Sequence, residues 1–408
     1  MTSIESELRP VPRVPLWRNE RVLKIVAQIV AVAVVVALLR WLIGNLTTNL
    51  NRVGISTDFG VLRQSTNFTI RDDPGFAPNS PVFPNMLWVG VKNTAIASVV
   101  GIAIAVGLGV LIGVGRLSSN WLVRKLCTVY VEIIRNIPPL AIIIFFGYAV
   151  FTYGPFPIFN PRNPPWQVKL PGSDNNFLIL SNDRWAFPSF MKDGNVGIFW
   201  ILVLVAVAAA IVAWKWRTKV NVDTGAPHHR VVWAFGVLVV LAVIAFLATG
   251  VPYRWSWPAV SASGRTIVGG FGTNAGYLSI TGALGLYHAS HIAEITRGSI
   301  LAVPRGQSEA SLALALGGFQ RYRFVILPQA AKIGFPPIIS QFLSLTKNTS
   351  LATVVAYPEV TSLVTSAIGN GKPAVQMLVA LMAIYLLFSF AWSVLLNSVG
   401  RKFKEVSR

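Results

Sequence analysis

The sequence is poor in sulfur and in acid. A single cysteine, Cys127, stands among 408 residues, which excludes an intrachain disulfide or a thiolate metal cluster as the element holding the chain together. Charged residues are 12% of the chain against 53% hydrophobic, too few to cover the surface of a water-soluble protein of this size. Fifteen Asp and Glu oppose 35 Lys and Arg, a formal net charge of +20. The basic residues flank apolar runs and form no single face, so the excess does not describe a nucleic-acid surface. There is no GxxxxGK[ST] phosphate loop and no nucleophile elbow; energy for any work must come from a partner or an ion gradient. The first apolar run lacks a small-residue cleavage site behind it and reads as a retained span.

What the chain has in abundance is apolar length. Mean hydropathy is +0.59, and the apolar residues gather in runs near the roughly 20 needed to cross a bilayer. They show no period-two alternation, which opposes a β-barrel. The expected fold is an all-α polytopic membrane protein with about eight spans: 22–44, 87–115, 127–152, 197–214, 231–250, 276–293, one beginning after Pro336-Pro337, and 375–397. The connections on one side (1–24, 116–125, 215–230, 297–332 and 401–408) hold 21 Lys and Arg, against 11 on the longer opposite set. The positive-inside rule therefore places both termini in the cytoplasm.

Four regions follow. Residues 1–85 are a polar tail, the first span and an external loop; 86–152 are the first part of a membrane core. Residues 153–275 are a polar insertion, dense in proline, glycine, asparagine and aromatics, with two additional spans. Residues 276–408 are the second part of the core. Gly109 and Gly113 form a GxxxG pair suited to close helix packing. Pro138-Pro139 interrupts the helical ladder of the third span.

Between the sixth and seventh spans lies a cationic amphipathic stretch, 294–330. Residues 307–316 have helical spacing and a small-residue face (Ser308, Ala310, Ser311, Ala313, Ala315). Gly317-Gly318 is expected to stop this helix, and a second segment, with Arg321 and Arg323 facing water or a polar partner, is expected to end at Pro328. Such a passage is either an interfacial helix pair or a docking surface. Glu309, near the helix start, could meet a basic partner or stabilise free amides.

Polar residues inside the spans mark the other candidates. Glu132 and Arg135, three apart on one helical face, read as a structural polar pair or as a substrate contact. Lys347, Asn348, Thr349 and Ser350 place an ammonium and neutral donors in a membrane region. They read as a structural link between span pieces or as the lining of a translocation path. His288, His291 and Glu294 share a helical face, but with no second ligand helix evident they read as packing and local hydrogen bonding, and no metal site is expected.

These segments resemble the permease subunits of bacterial ATP-binding-cassette importers, and within them the polar amino-acid permeases. The resemblance rests on YVEIIRNIPPL at 130–140, HIAEITRGSILAVPRGQSEA at 291–310 and LPQAAKIGFPPIISQFLSLTKNTSLATVV at 327–355. Glu309-Ala310-Ser311 stands for the Glu-Ala-Ala triplet of the family's coupling loop, and Leu327-Pro328 closes the motif. Ser311 replaces the second alanine, and Ala315 occupies the family's glycine position. The resemblance implies coupling to an ATPase through Arg297, Gly306, Glu309, Ala310, Ser311, Ala315 and Pro328, and path lining near Lys347 to Ser350. It implies a heteromeric complex with a second permease chain, an ATPase dimer and a periplasmic amino-acid-binding protein in a bacterial inner membrane. ATP and Mg would sit in the ATPase, with no cofactor in this chain. The long 153–275 region is similar to the larger permeases of general or glutamate, glutamine, aspartate and asparagine systems, which implies acidic and neutral polar L-amino acids as substrates.

Two accounts of another kind compete. A gradient-driven secondary transporter calls for coupling residues within the spans and inverted repeats, and no clear repeat is visible. A membrane scaffold would keep partner docking without substrate flux.

Overall fold

The structure is a computed structural model that describes residues 20–54, 58–70, 73, 76–158, 163–182, 184–225, 229–264 and 266–405. Residues 1–19 of the expected polar tail, with Asp72, His228, Arg265 and the last three residues, lie outside the described residues.

In chain order the helices are α1 (Glu20–Arg52), α2 (Leu87–Gly115), α3 (Trp121–Asn136), α4 (Pro139–Ile144), α5 (Val196–Thr224) and α6 (Arg230–Ala248). They continue with α7 (Ala275–Leu301), α8 (Arg305–Ala313), α9 (Gly318–Arg321), α10 (Leu327–Asn348), α11 (Val360–Gly369) and α12 (Ala374–Glu405). Among the described residues five helices, α1, α2, α5, α6 and α12, are long and apolar enough to cross a membrane. Two bent pairs raise the number to seven: α3 with α4, turning through 104°, and the α10 region with α11, turning through 45°. The first turn falls at Pro138-Pro139. Pro138 caps α4 and Pro139 occupies its first turn, where a missing N–H leaves no bond unmade.

The expected sixth span is α7, which is less apolar than the others. It is the central helix, packed against α2, α3, α4 and α10. Thirteen of its residues are buried, five of them Ser, Thr or His, whereas α1 buries none. A helix enclosed by protein can carry polar side chains that would be costly against lipid. The α2–α7 seam is closed by the expected glycine pair. A Cβ on Gly109 would lie 2.7 Å from Ile292, and one on Gly113 would lie 2.7 Å from the carbonyl oxygen of Ala293.

Three expectations of detail are corrected. Pro328 does not end a helix: it sits in the first turn of α10, where its fixed φ is helix-compatible. Pro336 and Pro337 do not begin a span but lie inside α10. The two lost N–H groups are tolerated there because the rest of the ladder and the packed neighbours hold the helix. The third span's helix starts earlier than residue 127, at Trp121, because Asn120 caps it by accepting from the amides of Leu122 and Val123.

The insertion folds into short antiparallel sheets. Strands β1 (Trp166–Lys169), β2 (Asn176–Leu180), β3 (Arg184–Phe187), β4 (Ser189–Lys192), β5 (Tyr253–Ser256), β6 (Ala259–Val260), β7 (Ile267–Val268) and β8 (Phe271–Asn274) form three sheets, ordered β1-β2-β3-β8, β4-β5 and β6-β7. Arg184 pairs with Asn274 and Lys192 with Tyr253. The segments before α5 and after α6 are thereby joined at one end of the α5–α6 hairpin. An aromatic cluster anchors the sheet: Trp185 meets Phe151 at 5.6 Å and Phe156 at 5.2 Å between ring centroids.

Candidate functional site

The stretch singled out by its cationic, amphipathic pattern folds as a helix hairpin hung between the two helices that meet in the core, α7 and α10. Pro304 leads into α8, whose Gly306, Glu309 and Ala310 are exposed. Ser311 does not share that face. It is the one buried residue of α8, and its hydroxyl donates to the carbonyl of Ser308 at 2.7 Å. Gln329 Nε2 on α10 donates to Gln307 Oε1 on α8 at 3.1 Å, fixing the hairpin's closing angle. Leu312, Leu314, Phe319 and Phe324 leave more than half of their surface uncovered. A large apolar set in the open at the tip of a membrane protein's loop marks a contact surface.

The end of α8 explains the glycine position. Ala315 has φ of 55°, in the left-handed region. The Leu316 amide donates to the Ser311 carbonyl at 3.1 Å and the Ala315 amide to the Leu312 carbonyl at 2.9 Å. These two bonds make the Schellman arrangement, whose left-handed residue is usually glycine. Gly317 then opens α9, with Gln320 Oε1 accepting from its amide at 3.1 Å. Arg323 is exposed and lies over the rings of Phe319 and Phe324, while Arg321 is half-buried.

Arg297 is drawn into an ion network whose hub is Glu294. Arg297 Nη2 lies 2.5 Å from Glu294 Oε1, Arg135 lies 4.0 Å from Oε2, and Arg116, the residue capping α2, pairs with the same oxygen. Glu132 lies 3.9 Å from Arg116. The expected Glu132–Arg135 pair is therefore not made. Both residues turn to partners from other helices, because Arg116 and Glu294 come together from 178 residues apart. Sequence reading assigned Arg116 only a topological role; its position at the last turn of a glycine-rich span was the available signal.

The quartet at 347–350 is divided. Asn348 turns into the α7–α10 seam, where its Nδ2 donates to His288 Nε2 at 3.3 Å. His288 Nδ1 meets Gln341 Oε1 at 2.9 Å, so the Nδ1–H tautomer satisfies both bonds. Thr349 is fully buried and donates to the Thr346 carbonyl at 2.7 Å. Lys347 is exposed and Ser350 half-buried. Of the histidine and carboxylate trio, His288 and Glu294 are committed to these separate partners.

A buried carboxyl group had no role assigned to it from the sequence. Glu359 is fully buried at the N-cap of α11, accepting from the Ser362 amide at 2.7 Å and from the Tyr385 hydroxyl on α12 at 3.0 Å. Beside it, Asn93 on α2 donates to the Pro358 carbonyl at 2.8 Å. These bonds knit α2, α11 and α12 together. An acidic residue directly before an apolar helical run is the cap signal that could have found it.

A model of the family described as binding-protein-dependent transport system inner membrane component matches residues 105–405. The chain is 35% identical to the general L-amino acid transport system permease protein AapQ of Rhizobium johnstonii, over 93% of this chain and 92% of the relative. It is 33% identical to the putative amino-acid ABC transporter permease protein YhdX of Escherichia coli, over 93% and 94%. It is 32% identical to the glutamate/glutamine/aspartate/asparagine transport system permease protein BztB of Rhodobacter capsulatus, over 96% of both chains.

Proposed function

The chain belongs to the family of binding-protein-dependent transport system inner membrane components, and from that premise we propose that it forms one half of the path by which an ATP-driven importer moves acidic and neutral polar L-amino acids. The observation that carries this reading is the setting of α8. Its exposed Gly306, Glu309 and Ala310 project from a hairpin whose two arms run directly into α7 and α10, the helices that hold His288 and Asn348 between them. A push on α8 would reach that seam through the short 302–304 link to α7 and, past the break at 314–317, through the helical run from Gly318 into α10. The chain carries no nucleotide-binding motif of its own, so ATP and Mg belong to a cytoplasmic ATPase dimer that α8 engages. Arg297, Ala315 and Pro328 shape the loop, and Ser311 anchors its inner side.

The second half of the path is a different permease chain, and a periplasmic amino-acid-binding protein delivers the substrate. In this reading 86–152 and 276–408 form the transport core, α7 counts as the eighth span, and both termini lie in the cytoplasm of a bacterial cell. Substrate class follows from likeness to relatives whose names specify general L-amino acids and glutamate, glutamine, aspartate and asparagine. Lys347 is exposed in this chain alone, which suits a position facing the partner permease and the path between them.

The test is reconstitution in liposomes with the partner permease, ATPase and binding protein. Uptake of glutamate and glutamine is expected to require ATP on the ATPase side and to collapse in Glu309→Ala with the complex still assembled. Uptake that persists without ATP and follows an imposed proton or sodium gradient overturns the proposal. Basic or aliphatic amino acids outcompeting glutamate overturn the substrate class alone.

A further inference from the structure

The α5–α6 hairpin stands apart from the core. Its two helices pack chiefly on each other, and only Ala206 and Ala210 of α5 and Ala245 of α6 are buried. The apolar run of α5 from Val196 to Trp214 rises about 28 Å at 1.5 Å per residue, close to the roughly 30 Å of a bilayer's hydrocarbon. The helix then continues to Thr224. Trp214 consequently marks the membrane boundary, and Lys215, Arg217 and Lys219 stand in the layer beyond it. Arg230 opens α6 at the same level. The strands that flank the hairpin pair at its other end, so these four cations face away from the folded insertion. Asp223 is the one carboxylate among the described residues of 213–233.

The cations are arranged. The Arg230 guanidinium lies 5.0 Å from the Trp214 ring on the opposite helix. Arg217 lies 5.6 Å from Trp216 and 5.3 Å from Trp233 across the hairpin, and those two rings meet edge to face at 6.0 Å. Each guanidinium is held close to indole rings, and the guanidinium's planar fork of N–H donors is the side-chain group that best matches phosphate oxygens. The three tryptophans remain substantially exposed, and the columns leading away from them are exposed aliphatics, Leu204, Ile211 and Val212 on α5 and Val231 and Val232 on α6.

We infer that this end of the hairpin is a binding site for an anionic phospholipid, with the phosphodiester among Arg217, Arg230, Lys215 and Lys219 and the acyl chains along the exposed aliphatic columns. Both halves of the ligand find a match: the cations suit the headgroup, and the apolar faces continuous with them suit the chains. A purely polar anion would leave the exposed tryptophans and aliphatics unused. An acidic segment of a protein partner would have to bury indoles already placed at lipid-interface depth.

The full chain, purified in mild detergent, is titrated with phosphatidylglycerol and, separately, phosphatidylcholine, and bound lipid is counted by native mass spectrometry. Wild type is expected to retain phosphatidylglycerol preferentially. R217Q/R230Q is expected to lower that retention by about tenfold or more, since each cation near an anionic headgroup contributes a several-fold effect. K215Q/K219Q, which leaves the arginine–tryptophan contacts in place, is expected to lower it less. The control K169Q/K192Q removes the same charge from the sheet end and should change nothing; circular dichroism confirms that every variant keeps its helix content. Equal retention of the two lipids by wild type overturns the proposal, as does unchanged phosphatidylglycerol retention in both hairpin variants or an equal loss in the control. Crosslinking of residues 215–219 to a protein subunit in native membranes, with lipid retention unaffected by the substitutions, assigns the surface to a protein and overturns it too.

Discussion

Arg116 and Glu294 are ion-paired across 178 residues of chain, tying the end of α2 to α7 two turns before the α8 hairpin. Arg116 has only 9% of its side chain exposed, and Glu294 also answers Arg135 and Arg297. Removing that one carboxylate leaves three cations without their shared counter-charge. Glu294→Gln is therefore expected to destabilise the protein by on the order of 2 kcal/mol, below the ~3–5 kcal/mol of a fully buried broken pair because the site is partly open. Glu132→Gln, at the rim, should cost less than ~1 kcal/mol. Thermal unfolding of the purified chain ranks the two, and equal losses would mean that Glu294 is not the hub.

Much of this architecture is written in local pattern, and the exceptions share a cause. Apolar length located α1, α2, α5, α6 and α12, and Pro138-Pro139 located the 104° turn, because both signals act within a few residues. The stop expected at Gly317-Gly318 falls earlier, at Ala313, because Ala315 itself takes the left-handed turn that glycine usually supplies. The pairing of Glu132 and Arg135 was misread because spacing within a helix reports which side chains are neighbours and not which distant partner outbids them. Ser311 was assigned to the outer face by its size, yet its inward turn is set by the packing of α8 on the segment that follows. Pro328 and Pro336-Pro337 are breakers in an isolated helix; first-turn position excuses one, and tertiary support the other two. The polar character of α7 made it the weakest span on paper for the very reason that it is the most enclosed.

Ala315→Gly is expected to stabilise the α8 hairpin. An alanine held at φ of 55° bears a left-handed penalty of roughly 1–2 kcal/mol, while glycine returns about 0.4–1 kcal/mol through the greater freedom of the unfolded chain. The net gain is about 0.5–1 kcal/mol, confined to α8 and its cap. Hydrogen exchange of residues 305–316 should slow by about two- to fivefold. Faster exchange would mean that Ala315 leaves the left-handed region in solution.

The α2–α7 seam predicts a contrast between glycines of one helix. In Gly113→Ala the new Cβ meets the Ala293 carbonyl oxygen at 2.7 Å, a backbone atom that moves only if α7 moves. A loss of about 1–3 kcal/mol is expected. Gly107→Ala has nothing within 4 Å of the added carbon and should be neutral or gain up to ~1 kcal/mol from helix propensity. Melting temperatures of the two variants measure this directly; a tolerated alanine at 113 would show that the helices do not approach as described.

The divided quartet separates stability from transport. Asn348→Leu leaves His288 Nε2 buried without its donor, a loss of about 1–3 kcal/mol. Adding His288→Phe removes the stranded group as well, and the double variant should recover part of that loss, although Gln341 then loses its own partner. Lys347 makes no such demand, because its exposed side chain can be exchanged for glutamine within about 0.5 kcal/mol. If Lys347 faces the path shared with the second permease, Lys347→Gln lowers amino-acid uptake severalfold in proteoliposomes at unchanged melting temperature. Uptake at the wild-type rate would assign Lys347 to the surface and leave the interior pair, His288 and Asn348, as the part of this region that the helices need in order to stay together.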